Sequence, residues 1–108
     1  MEIVESNESG QIVIELKGRL DGTTSKALED RFTTLLDGAS KQLLLDFTEL
    51  DYVSSAGLRV LLIAAKRVKA CQGRLAICAL RPDVLEVFEI SGFTKIFSLY
   101  PTRAQALG

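Results

Sequence analysis

The sequence predicts an α/β fold built on a mixed sheet, and three observations lead there. Strand-like apolar runs alternate with amphipathic helical stretches, as they do when helices connect the strands of one sheet. The first two strands lie close enough to form a hairpin, so at least one pairing is antiparallel. Residues Leu43, Leu44 and Leu45 form an unbroken apolar run, the pattern of a strand buried on both faces.

At the N-terminus, Ile3 and Val4 stand among acidic residues, and Glu8-Ser9-Gly10 supplies turn chemistry. Gln11 to Lys17 then alternates, with Ile12, Ile14 and Leu16 set against Gln11, Glu15 and Lys17 and with Val13 as an exception. Gly18 to Gly22 breaks the pattern. A helix is predicted from about Thr23 to Leu36, with Ala27, Leu28, Phe32, Leu35 and Leu36 on its apolar face, Thr23 or Thr24 as its cap and Gly38 at its end.

The leucine strand follows, closed by Asp46 and Phe47, and a short polar turn leads into a second helix starting near Ser54 or Ser55. Leu58, Leu61, Leu62, Ala65 and Val68 mark its buried face, and Gln72-Gly73 ends it. Arg74 to Ala79 reads as a short strand. Pro82 opens a third helix carrying Val84, Leu85, Val87 and Phe88, which Gly92 stops. Ile96-Phe97 reads as a brief edge strand, and Pro101 to Leu107 as a last helical turn or two that frays.

A chain of 108 residues is expected to be one domain, residues 1–108. Its net charge of −1 gives no bias toward nucleic acid, so no direct nucleic-acid contact is expected. No apolar stretch approaches the ~20 residues of a membrane helix, and the N-terminus lacks the basic and apolar regions of a signal peptide. The expectation is a cytoplasmic monomer without membrane insertion. Cys71 and Cys78 stand in a chain with no histidine, which leaves no common zinc set; both are expected to be buried or half-buried free thiols. The same absence excludes Ser-His-Asp and Cys-His nucleophile systems. No GxGxxG or GK[ST] string is present, and no cofactor is expected.

The two serines at the start of the second helix carry the functional reading. Serine is a favoured N-cap because its hydroxyl oxygen accepts a hydrogen bond from an otherwise unpaired first-turn N–H. One of Ser54 and Ser55 is expected to cap, leaving the other free. The string Tyr52-Val53-Ser54-Ser55-Ala56-Gly57-Leu58 closely resembles the phosphorylation loop of the STAS family, as found in bacterial anti-sigma factor antagonists. Aligned on Gly57-Leu58, the resemblance makes Ser55 the phosphoacceptor. Gly18-Arg19-Leu20-Asp21 resembles the family's Gly-x-Leu-Asp lead into the first helix. It puts Asp21 beside the Ser55 loop, although an Asp-Gly dipeptide also serves as an ordinary turn.

The resemblance spans almost the whole chain. It implies a four- or five-stranded mixed sheet with about four helices packed mainly on one side. It implies a non-enzyme that binds an anti-sigma factor serine kinase when unphosphorylated, lets go when phosphorylated on Ser55, and is reset by a PP2C-type phosphatase. The expected docking surface is Ser54, Ala56, Gly57, Leu58, Arg59 and Ile63 with the Asp21-Gly22-Thr23 corner. Arg59, Ile63, Lys66 and Ala70 share a stripe by helical spacing, which also reads as an ordinary solvated face. Two alternatives stand beside this one: a STAS subunit of a membrane-associated lipid or anion transport assembly, and an enzyme using Ser55 as nucleophile with Lys66 or another amine as base.

Overall fold

The structure is a computed structural model that describes residues 1–37 and 42–108. Gly38, expected to end the first helix, lies outside the described residues. Strands β1 (Glu2–Glu8) and β2 (Gln11–Leu20) form the expected hairpin, paired antiparallel from Glu2↔Lys17 to Glu8↔Gln11. Ser9 and Gly10 both take positive φ, 53° and 78°, as a two-residue turn matched to strand twist requires. Every other pairing is parallel, giving the order β1-β2-β3-β5-β6, with β3 at Gln42–Asp46, β5 at Arg74–Cys78 and β6 at Ser98–Tyr100.

The sixth strand, β4 (Leu50–Val53), pairs with the far half of β2. Strand β2 therefore serves two neighbours in succession. Its first half lies beside β3, from Ile12↔Leu43 to Glu15↔Asp46, and its end lies beside β4 at Arg19↔Tyr52 and Leu20↔Val53. The changeover is an irregularity at Gly18, where φ is +105° and the N–H donates to the Glu49 carbonyl at 2.9 Å. The break expected at Gly18 to Gly22 is thus a bulge, and the strand continues to Leu20.

Helices α1 (Ser25–Leu36), α2 (Ser55–Ala70) and α3 (Pro82–Ile90) cover one face of the sheet. Against them stand Ile14, Leu16, Leu43, Leu45, Leu75 and Ile77, all essentially buried. Alternation sends Val13, Leu44, Ala76 and Cys78 to the other face, where Ala106 of α4 (Arg103–Leu107) closes over them. Val13 is therefore no exception to the alternation: it is the reverse-face member of a strand buried on both sides.

The helix faces are rotated slightly from expectation. In α1, Ala27 is exposed and Ser25 is buried with Leu28, Phe32 and Leu36; in α2, Val60 and Ala64 are buried with Leu61 and Val68, while Leu58, Leu62 and Ala65 are half-buried. The small residues Gly57 and Ala64 face inward because α2 lies close to its neighbours. At its end, the Gly73 N–H donates to Val68 at 2.8 Å and the Gln72 N–H to Lys69 at 3.0 Å. Gln72 takes the left-handed position at φ 60°, in place of the usual glycine.

Two more corrections concern the C-terminal third. Ile96 and Phe97 are not strand: a 3-10 turn at Phe93–Lys95 precedes them, and the edge strand is Ser98–Tyr100. Phe97 turns inward onto Phe88 and Phe93, with ring centroids 5.9 and 5.6 Å away. Helix α4 is anchored rather than frayed. Arg103 donates to Asp46 at 2.9 Å, to Glu8 at 2.8 Å and to Glu15, tying it to three strands.

Candidate functional site

The site is built where β2, β4 and α2 meet. Pairing of Leu20 with Val53 brings the end of β2 alongside the residue before Ser54. The Ser54 N–H donates to the Leu20 carbonyl at 2.8 Å, which fixes the entry into α2. Ser54 then adopts an extended backbone, φ −89° and ψ 173°, and its hydroxyl oxygen accepts the Gly57 N–H at 3.2 Å. Ser54 is the cap. Ser55 is the first helical residue, exposed, with no side-chain hydrogen bond among the described residues.

The first-turn N–H groups of Ser55 and Ala56 have no intrahelical acceptor, because those carbonyls would have to precede the helix. With the positive end of the helix dipole behind them, they form an electropositive mouth beside the Ser55 hydroxyl. Gly57 lies behind that mouth. A Cβ at this position would sit 2.7 Å from Leu20 Cγ and 2.9 Å from the Leu20 carbonyl oxygen. Gly57 and Leu58 were expected on a docking surface. Gly57 is instead buried, its hydrogen side chain letting α2 press against β2, and Leu58 is half-buried against the core.

Asp21 follows Leu20 directly and so borders the same junction. Its carboxylate accepts the Thr23 N–H at 3.0 Å and the Thr23 hydroxyl at 2.7 Å, closing a tight corner at Asp21-Gly22-Thr23. The Thr23 hydroxyl and N–H, helped by Thr24, hold this carboxyl below the usual range. The Thr24 hydroxyl accepts the Asp21 N–H at 2.9 Å and donates to the Arg19 carbonyl at 2.8 Å, so the corner is rigidly braced.

Arg19 and Tyr52 were not singled out from sequence. They are register partners across β2 and β4, with the Arg19 guanidinium 4.1 Å from the centre of the Tyr52 ring. The signal was slight: Tyr52 opens the serine string, and Arg19 stands one residue before Leu20. Three carboxylates near this junction each have a cation at hand. Asp21 faces Arg19 at 3.8 Å, Asp51 faces Arg81 at 3.3 Å and Glu49 faces Lys17 at 3.3 Å.

Farther along α2, Arg59 is exposed and Ile63 is 38% exposed, lying over the seam with α1 beside Val60 and Phe32. Lys66 is eleven residues beyond Ser55, about 16 Å along the axis, so it cannot take a proton from the serine. Lys66 is therefore not the base that the serine-nucleophile alternative needs. No group of three or more candidate metal ligands occurs among the described residues, and none of their helices is long and apolar enough to cross a membrane.

A family model described as STAS domain matches residues 2–106. BtrV of Bordetella bronchiseptica, which carries a provisional name as an anti-sigma factor antagonist, is 39% identical over 106 residues, covering 98% of this chain and 91% of that protein. The anti-sigma F factor antagonist of Paenibacillus polymyxa is 26% identical over 108 residues, covering 99% and 92%. Among solved structures, the anti-sigma factor antagonist SpoIIAA in its unphosphorylated form superposes with a TM-score of 0.85 at 23% identity, covering 98% of this chain and 93% of that one. The Bacillus SpoIIAA in its phosphorylated form superposes at 0.78 and 22% identity, covering 98% and 96%. At those identities the likeness is one of fold.

Proposed function

Because this chain belongs to the STAS domain family, we propose that it is an anti-sigma factor antagonist, a cytoplasmic protein-binding module switched by phosphate on Ser55. Unphosphorylated, it binds an anti-sigma factor serine kinase and so frees the sigma factor. The kinase then transfers the γ-phosphoryl group of ATP to the Ser55 oxygen, with the serine proton lost and ADP released, and the complex comes apart. A PP2C-type phosphatase delivers water to the phosphorus, returning the serine and inorganic phosphate. ATP and the metal ions belong to those enzymes; this chain is substrate and ligand.

The observation that carries the reading is the division of labour between the serines. Ser54 is committed to the cap, while Ser55 is exposed at the first helical position and its hydroxyl has no hydrogen-bond partner among the described residues. A phosphate there brings roughly −1.5 to −2 charges to a helix start whose N–H groups and dipole favour it by ~0.3–1 kcal/mol. The fold therefore tolerates the modification, and its cost falls on the partner. A contact complementary to a neutral hydroxyl loses about 3 kcal/mol against an unpaired dianion, more than a hundredfold in affinity. Since Asp21, Asp51 and Glu49 each face a cation, the phosphate itself supplies the change in field. The names of the relatives support the class, and SpoIIAA in its phosphorylated form supports a phosphate on this fold.

Incubation with the organism's anti-sigma serine kinase and ATP, followed by mass spectrometry, tests this. Phosphate is expected on Ser55, none in Ser55→Ala, and at least a hundredfold loss of kinase affinity in Ser55→Asp. Phosphate elsewhere, or unaltered affinity in Ser55→Asp, refutes the switch.

A further inference from the structure

Toward the opposite end of α2 from Ser55, about 16–21 Å along the helix at Lys66 and Lys69, the helix end, the start of β5 and the segment after the 3-10 turn line an open groove of about 720 Å³. Its floor is apolar and recessed: Val68, Leu75 and Phe97 line it, 2%, 9% and 5% exposed, with Ile96 beside them at 49%. Its rim is cationic. Lys66 and Lys69 come from α2, Arg74 from β5 and Lys95 from the 3-10 turn, and no carboxylate lines it among the described residues.

Cations without a carboxylate partner gather here: Arg59 and Arg67 of α2 also meet none within 4.0 Å among the described residues, but neither lines the groove. Lys17, Arg19, Lys26, Arg31, Arg81 and Arg103 each meet a carboxylate within 4.0 Å, whereas Lys66, Lys69 and Lys95 meet none among the described residues. Arg74 is turned onto the Tyr100 hydroxyl at 2.5 Å. Three unpaired ammonium groups around one apolar floor repel one another and favour an anion that reaches all of them.

We propose that this groove binds a single-chain anionic amphiphile, an alkyl chain ending in a phosphate monoester. The chain lies on Val68, Leu75 and Phe97, and the headgroup meets the lysines. A monomeric amphiphile fits better than a bilayer, because a flat membrane surface touches the rim but does not reach a recessed floor. A phosphate fits better than a carboxylate, because its charge of roughly −1.5 to −2 and three acceptor oxygens answer several cations at once. The volume falls within the ~300–1,000 Å³ usual for small-molecule sites. The proposal does not rest on the Ser55 switch, which lies at the far end of the helix.

The test is calorimetric titration of the whole chain with dodecyl phosphate below its micelle-forming concentration, together with amide shift mapping. One-to-one binding is expected, with shifts at Gly73, Leu75, Ile96 and Ser98 and none at Ser55. Decyl phosphate is expected to bind about fifteenfold more weakly, at about fourfold per buried methylene, and dodecanoate more weakly than dodecyl phosphate. Lys66→Gln with Lys69→Gln is expected to weaken binding by roughly tenfold or more with the fold intact by circular dichroism, since both side chains are exposed; Ile96→Glu gives an independent loss. No binding, shifts scattered over other apolar surfaces, no dependence on chain length, or equal binding of dodecyltrimethylammonium would overturn the proposal. Dodecanoate binding as tightly as the phosphate would overturn the headgroup assignment.

Discussion

Replacing Gly57 with alanine tests whether the serine-bearing turn is held by contact between α2 and β2. In an isolated helix the exchange gains up to ~1 kcal/mol, because glycine surrenders more backbone freedom. Here the new methyl carbon would stand 2.7 Å from Leu20 Cγ and 2.9 Å from the Leu20 carbonyl oxygen, both inside van der Waals contact. That carbonyl also accepts the Ser54 N–H at 2.8 Å, so it cannot yield without loosening the entry to the helix. Overpacking of this kind costs about 1–3 kcal/mol, with the backbone contact putting it toward the upper end. The steric term wins, leaving a net loss of about 1–2 kcal/mol and a melting temperature lower by about 5–15 °C.

Thermal and urea unfolding measure the loss, and a double-mutant cycle locates it. Leu20→Ala alone costs about 2–5 kcal/mol through its cavity, but it removes one of the two clashing atoms. Gly57→Ala should therefore cost less in the Leu20→Ala background than in the parent. A Gly57→Ala protein that melts at or above the parent temperature, or a cycle without coupling, would refute the close approach of α2 to β2.

Three further outcomes are expected. Ser54→Ala removes the cap and should cost ~1 kcal/mol in urea unfolding, while leaving Ser55 open to the kinase; phosphate lost from Ser55 with the fold intact would assign Ser54 a recognition role. Burial pushes the Asp46 carboxyl up, but the Thr48 hydroxyl and N–H and the Arg103 guanidinium outweigh it and hold the group below its ordinary value. Its ionised form is therefore favoured by folding, so the stability it contributes is present above the unfolded value of about 3.9 and lost as pH falls through the lower folded value. In acid titrations followed by circular dichroism, Arg103→Ala should shrink that dependence and destabilise the fold by about 1–3 kcal/mol, the cost of a buried acceptor left without its donor. Burial and the neighbouring Asp46 push the Cys78 thiol up to about 12, while Cys71 is half-buried. A disulfide-exchange reagent at pH 8 should therefore titrate Cys71 in the native protein and reach Cys78 only on unfolding.

Much of this fold is legible in the sequence because its signals are local. Three successive leucines cannot all avoid water unless both faces of their strand are covered, and all three are buried. A serine before a helical pattern announces a cap, and proline at the first position of α3 announces a helix start. Strand β4 was missed because its apolar content is only Leu50 and Val53, with exposed Asp51 and Tyr52 between them. Its partner is the far half of β2, some thirty residues away in the chain. The role of α4 was missed for the same reason: the carboxylates that hold Arg103 lie 57, 88 and 95 residues away.

The site divides along that line. Adjacent residues alone determined that a helix begins at the serines, that one hydroxyl is consumed there and that the other is left over, because capping is a matter of a few bonds within one turn. Which serine does which, why position 57 tolerates no side chain, and that Asp21 borders the same junction were decided by the pairing of Leu20 with Val53. That pairing depends on a bulge that lets one strand serve two neighbours. The cationic groove is wholly a product of tertiary structure. Its lysines and its floor come from a helix end, a strand start and a turn, which only the closing of the sheet brings together.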